Sequence, residues 1–178
     1  EYEDLKGKNN FLIPLEVIFR NTIPLGSSFR RRNSPKEVGL DQSEWPDEKV
    51  KVEDPIIEFS TKLEEKDRYL DPEEAIKISN LSENEFEDLK FKAKKINEII
   101  TEKAEENGFN HEDGKVEFIY SDGEVILADV VGTFDENRFS YSGQQISKEF
   151  LRKWYKENNS AWYEEINRAK KEAKDKGT

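Results

Sequence analysis

A chain of 178 residues with 40 acidic and 29 basic side chains carries a net charge of -11, which excludes non-specific adhesion to nucleic acid or an anionic membrane because a phosphate polymer meets a repulsive field. It has no cysteine, so disulfides and thiolate metal sites are excluded, and no run approaches the ~18 apolar residues of a membrane span. Hydrophobic residues make up 34% and charged residues 39%, and the apolar ones gather in runs, so a single globular domain over residues 1–178 is expected, in the cytoplasm since no signal-peptide pattern opens the chain.

Phe11 to Arg20 is rich in β-branched and aromatic residues and reads as a strand that Pro14 confines to an edge or a bulge. Thr22 to Trp45 carries Pro24, Gly26, paired serines and Arg30-Arg31-Arg32 without periodicity, which predicts a long loop. Ile56 to Ser60 reads as a second short strand. Asp71-Pro72 supplies an N-cap and a first-turn proline for a helix, and Ser82 with Glu85 forms a capping box that opens a longer one. Phe86, Leu89, Ala93, Ile96, Ile99 and Ile100 keep the 3.6-residue period of a core helix, which Gly108 stops. Lys115–Tyr120 and Glu124–Val131 flank Ser121-Asp122-Gly123, a hairpin with an Asp-Gly turn. Two terminal helices follow, Ile146–Tyr155 and Trp162–Ala173, the last on the surface.

Lys115 and Glu117 lie two apart on one strand and share a face, and Asp129 on the partner strand is placed to face them. Two carboxylates converging with one lysine suit a magnesium ion and ATP phosphates. Spacing alone favours a solvated charged face instead. Arg20, followed by the Gly-Ser-Ser loop and three arginines, offers guanidinium forks, hydroxyls and backbone N–H groups to a phosphate or carboxylate, with a surface salt-bridge network as the competing reading. The single histidine, His111, sits in an Asn-His-Glu-Asp turn and is expected to be exposed. Trp154 and Trp162 fall on helical periods and are expected in the core.

Read in order, five segments resemble the SAICAR synthetase family. Ile13-Pro-Leu-Glu-Val-Ile-Phe-Arg-Asn21 is similar to its Pro-Leu-Glu-Val-x-x-Arg-Asn strand, and Gly26-Ser27 to its Ala-Ala-Gly-Ser loop. Pro55-Ile-Ile-Glu-Phe59 with Lys62 and Leu70-Asp71-Pro72 is similar to its Pro-x-x-Glu-x-x-x-Lys-x-Asp and Asp-Pro stretch. Asp113-Gly-Lys-Val-Glu-Phe118 resembles Asp-Phe-Lys-Leu-Glu-Phe, and Gly123-Glu-Val-Ile-Leu-Ala-Asp129 resembles Gly-Glu-x-x-Leu-x-Asp-Glu. Val130 stands where the family has an acid, Thr133-Phe134 where it has Ser-Pro, and Leu63 where Asn-Asp is common.

The resemblance implies an α+β fold with a mainly antiparallel sheet and packed helices, related to two-lobe ATP-binding folds. It implies a ligase that uses ATP and Mg2+ to join L-aspartate to carboxyaminoimidazole ribotide. Glu117 and Asp129 would hold magnesium, and Lys115 and Asp129 would be catalytic. Arg20, Ser27 and Arg138 would meet the ribotide phosphate, its carboxylate or aspartate, with Glu16, Lys62, Asp71 and Asp113 as further substrate contacts. Small molecules are the expected partners, not nucleic acid or membrane, and homo-oligomerisation is left open. Family members begin with a glycine-rich Tyr-Glu-Gly-Lys-x-Lys loop that covers ATP phosphates, and nothing like it precedes Phe11, so an N-terminal ATP lobe is expected to be absent from this chain. A ribotide-binding remnant without catalysis and a plain acidic interaction domain are the rival expectations.

Overall fold

The computed structural model describes residues 2–175. After a 3-10 turn at Tyr2–Leu5, the expected first strand is two, β1 (Asn10–Leu12) and β2 (Leu15–Ile23), with Pro14 in the break between them. That position needs no ladder N–H, which is why a proline is tolerated just before a long central strand. The expected loop from Thr22 to Trp45 contains a short helix, α1 (Ser28–Arg32), capped by Ser27, whose hydroxyl accepts from Phe29 N, and a 3-10 turn at Pro35–Val38. The second strand is much longer than its apolar run: β3 covers Val50–Thr61, and β4 is the short Tyr69–Leu70.

Helix α2 (Pro72–Ser79) begins on the Asp71 cap, and Asn80 ends it in the left-handed conformation. Helix α3 (Glu83–Glu106) opens on the Ser82/Glu85 capping box. Its buried residues Phe86, Leu89, Ala93, Asn97, Ile100 and Ala104 recur every three or four positions, so one stripe faces the sheet. Strand β5 (Asn110–Ser121) turns at Asp122-Gly123, both at positive φ, into β6 (Glu124–Ala128). Strands β7 (Asn137–Tyr141) and β8 (Gln144–Ile146) follow, then helices α4 (Lys148–Asn158) and α5 (Ser160–Asp175).

The strands form one sheet in the order β4-β3-β2-β5-β7-β8, with β1 and β6 paired to the far half of β5. All pairings are antiparallel. One face, carrying Leu15, Val17, Phe19, Phe59, Val116 and Phe118, packs on α3 to form the core, with the Phe59 and Phe86 rings 4.8 Å apart. Burying a side chain such as Phe86 contributes roughly 2–3 kcal/mol. The α+β architecture is therefore the expected one, but two placements differ. His111 is only 3% exposed because it lies within β5, not in a turn. Trp154 and Trp162 are 48% and 45% exposed: their helical period is real, but α4 and α5 pack their rings on each other through Tyr155 and not on the core. Among the described residues, no helix is long and apolar enough to cross a membrane.

Candidate active-site cleft

The strand period of two sends Val17 and Phe19 into the core and leaves Glu16, Ile18 and Arg20 on the opposite face. Cross-strand register then selects their neighbours on that face. Lys115 opposes Ile18 and Asp113 opposes Arg20 on β5, Ser60 opposes Glu16 and Glu58 opposes Ile18 on β3, and Arg138 of β7 opposes Asp113. Tyr69 of β4 lies opposite Ser60. Strand β2 is therefore buried on both sides, by apolar groups on one and by paired polar groups on the other.

Every charge on this polar face is partnered. Arg20 donates Nε to Glu58, Nη1 to Asp113 Oδ2 at 3.3 Å and Nη2 to the Tyr69 hydroxyl at 2.9 Å. Burial alone would lower its pKa, but Glu58, Tyr69 and Asp113 outweigh that and hold it above its ordinary value. Arg138 forks onto Asp113, with Nε 2.7 Å from Oδ1 and Nη2 on Oδ2. Lys115 pairs with Glu16 and, at 3.4 Å, with Glu136. Burial opposes its charge, and the two carboxylates reverse the effect, so its pKa is raised. Arg32 reaches Glu58 at 2.7 Å and lies 3.5 Å above the Tyr69 ring.

A cleft of about 540 Å³ lies over this array, lined by Glu16, Arg20, Lys115, Arg138, Lys148 and Arg152 among others. A second, of about 650 Å³, shares Arg20, Asp113 and Arg138 and adds Ser27, Arg31 and Glu112. Glu112 accepts from Thr22 and Ser140 and pairs with Lys49 at 2.5 Å. Burial raises its pKa, and these three partners together pull it below the ordinary range. Further clefts lie elsewhere: one of about 700 Å³ between β3 and α3 has no arginine in its lining, one of about 470 Å³ along α3 is almost wholly apolar, and one of about 700 Å³ lies between α4 and α5.

Of the residues singled out from sequence, Glu16, Arg20, Asp113, Lys115 and Arg138 line the first cleft and Ser27 the second. Glu117 shares the strand face of Lys115 and binds Lys62 Nζ at 2.5 Å. Asp71 lines neither cleft; its carboxylate accepts from Glu74 N at 2.8 Å as the cap of α2. Asp129 lies just past the end of β6, left-handed at φ 62°, where Ala128 and not Asp129 is the partner of Glu117. It too lines neither cleft. Among the described residues, no group of three or more His, Asp or Glu is arranged to hold a metal ion. Sequence reading missed Lys148 and Arg152, which the cleft brings in from α4. Their i, i+4 spacing on one helix face was the available signal.

Fold and cleft together define an α+β protein with a charge-paired pocket of small-molecule dimensions. A family model described as SAICAR synthetase matches residues 3–169, and the chain belongs to that family. A putative phosphoribosylaminoimidazole-succinocarboxamide synthase of Archaeoglobus fulgidus is 45% identical over 175 residues, which is 95% of this chain and 51% of the relative. A structure described as SAICAR synthetase (Type-2) in complex with ADP superposes with a TM-score of 0.64 at 26% identity, over 88% of this chain and 62% of that one. SAICAR-synthase from Saccharomyces cerevisiae complexed with SAICAR gives 0.56 at 28% identity, over 83% and 50%. The chain thus spans about half the length of the curated relative it matches.

Proposed function

We propose that the protein serves an ATP-dependent ligase of purine biosynthesis, forming SAICAR, ADP and phosphate from L-aspartate, carboxyaminoimidazole ribotide and ATP through an acyl phosphate. The observation that carries this reading is the convergence of Glu16, Arg20, Asp113, Lys115 and Arg138 on one cleft in a chain of the SAICAR synthetase family. A carboxylate is a poor acylating agent because its leaving group would be oxide. ATP supplies the phosphoryl group that corrects this, with magnesium spreading the charge of the transfer.

The chain's own contribution is positioning and electrostatics. Arg20, Ser27 and Arg138 take the ribotide phosphate, the carboxylate or the incoming aspartate. Arg138 uses Nε and Nη2 on Asp113, which fixes the guanidinium plane and leaves Nη1 for a ligand oxygen. Lys115, kept charged by Glu16 and Glu136, offsets the negative charge that develops on the carboxylate and phosphate. Glu117 and Asp129 are assigned to magnesium, Asp129 with a further catalytic role, and Lys62, Glu16 and Asp113 to substrate contacts, while Asp71 serves as the cap of α2. The fit for magnesium is that of a nucleotide-borne ion, which needs one or two carboxylates and takes its other ligands from phosphate and water, so no protein cage is required.

The deciding experiment incubates the protein with ribotide, aspartate, ATP and magnesium and follows SAICAR by absorbance. ATP- and aspartate-dependent product that is lost in Lys115→Met supports the ligase. Saturable SAICAR binding without turnover would instead favour a ribotide-binding protein, and neither activity would leave only an acidic interaction domain.

A further inference from the structure

Behind the charged face lies a second, uncharged array, buried at Asn97, His111 and Asn137 and half-buried at Asn21 and Thr101. Asn21 and Asn97 pair their amides reciprocally at 3.0 and 2.8 Å. His111 Nδ1 is 2.9 Å from Thr101 Oγ1 and 3.2 Å from Asn21 Nδ2, and His111 Nε2 is 3.0 Å from Asn137 Oδ1. Asn137 Nδ2 donates to the Thr133 carbonyl at 3.2 Å. A carbonyl can only accept, so the amide orientation of Asn137 is fixed and its Oδ1 must accept from His111. Nε2 of His111 therefore carries a proton, and Nδ1 faces the Asn21 Nδ2 donor, the arrangement of the neutral Nε2–H form. Its ring stacks on Phe139 with centroids 5.0 Å apart and meets Phe19 edge-on at 5.6 Å.

The array reaches three neighbouring strands at the positions where the cleft arginines and aspartate are held. Asn21 follows Arg20 on β2, Asn137 precedes Arg138 on β7, and His111 lies two residues before Asp113, with a register shift between them. Alternation puts Asn21 and Asn137 on the opposite face from Arg20 and Arg138, and the register shift between His111 and Asp113 does the same for His111. Gly114 makes the approach possible: a Cβ there would collide with Asn137 Oδ1 and lie 2.6 Å from the Phe19 ring.

We propose that His111, through Asn21 and Asn137, is a positioning residue that locks β2, β5 and β7 in the one register at which Arg20, Asp113 and Arg138 form a single ligand-facing ionic array. Hydrogen bonds fixed at both ring nitrogens resist sliding of either outer strand, because a shift by one residue would leave buried amides unpaired. Burial, the largest influence on His111, lowers its pKa against the opposing pull of Asn137, Asp113 and Glu112, which keeps the ring in the form that this geometry needs.

This proposal rests on the ligase reading only for the ligand's identity, and the test separates the two. His111 is the single histidine, so 15N NMR of the unaltered protein reads its tautomer without ambiguity; a Nδ1–H or cationic ring at neutral pH overturns the proposal. The Arg138 Nε–H resonance, assigned by its loss in Arg138→Lys, is expected to be sharp and slowly exchanging. In His111→Phe, which keeps the stacking and removes the ring's hydrogen bonds to Asn21, Thr101 and Asn137, it should broaden or vanish while circular dichroism shows a folded chain. His111→Gln, which retains a donor toward Asn137, should restore it. Affinity for SAICAR should fall about tenfold in the Phe variant and recover in the Gln variant. An unchanged Arg138 signal in folded His111→Phe overturns the positioning role. If SAICAR fails to bind even the unaltered protein while the Arg138 signal responds as expected, the positioning role stands and the ligase reading falls.

Discussion

Arg138 forks onto both oxygens of Asp113 across the β5–β7 register, while Arg20 reaches the same carboxylate from β2. One buried carboxylate thus orients two guanidinium groups from two strands. Asp113→Asn keeps the shape and one acceptor but removes the charge that both arginines face. Unfolding in urea should show a loss of about 2–3 kcal/mol at an unchanged slope, because charge-assisted bonds to buried groups are the strong ones. A loss under about 0.5 kcal/mol, the size of an ordinary surface change, would show that Arg20 is held by Glu58 and Tyr69 alone.

The parts of this site that were legible in the sequence are those set by local rules. Arg20 and Glu16 alternate with Val17 and Phe19, Lys115 alternates with Val116, and the caps at Asp71 and Ser82 announce their helices. What was not legible depends on pairing between distant strands. Nothing near His111 reveals that Asn137 and Thr101 will surround it, so an Asn-His-Glu-Asp stretch reads as a turn although it begins a central strand. Trp154 and Trp162 show the converse limit: a helical period tells which residues share a face, not whether anything covers it. The five ordered motifs, by contrast, pointed to the family because their order and spacing together are far more specific than any single one.

Acid should destabilise the protein in two stages. His111 has a folded pKa below its ordinary 6.5, so the unfolded chain binds the extra proton first and stability falls as pH drops below about 6.5, levelling off once the folded ring is protonated as well. Glu112 has a folded pKa below its ordinary 4.5, so its contribution is present above that value and is lost as pH falls through the lower one. Denaturant midpoints measured from pH 8 to pH 3 should decline in both windows. In His111→Phe the upper stage should disappear and the lower remain; persistence of the upper stage would assign it to other groups.

Gly114→Ala should be far more costly than its small size implies. The added methyl would strike Asn137 Oδ1 and crowd Phe19, and forcing a well-packed site apart costs about 1–3 kcal/mol. Combining it with Asn137→Ser removes the atom that collides, so the double variant should lose less than the sum of the singles. Strict additivity in that cycle would mean that the clash is relieved by strand movement and not by the Asn137 side chain.

Asp129 offers the cleanest test of the magnesium assignment because its backbone constrains the choice of substitution. It sits at φ 62° just beyond β6, a conformation that asparagine adopts as readily as aspartate while most side chains do not. Asp129→Asn therefore changes the charge and little else, and thermal unfolding should be nearly unaltered. If the carboxylate helps hold the cation against the nucleotide phosphates, a chain that forms SAICAR should lose about 100-fold in turnover at limiting magnesium, the scale on which losing one preorganised electrostatic contact slows a reaction. Raising magnesium should recover part of that loss, since the weakened ion site can be filled by mass action. Asp129→Ala lacks this control, because alanine in the left-handed region strains the turn and confuses stability with catalysis. Turnover that is identical in Asp129→Asn and the unaltered chain at limiting magnesium would remove Asp129 from the ion, leaving Glu117 as the sole carboxylate assigned to it.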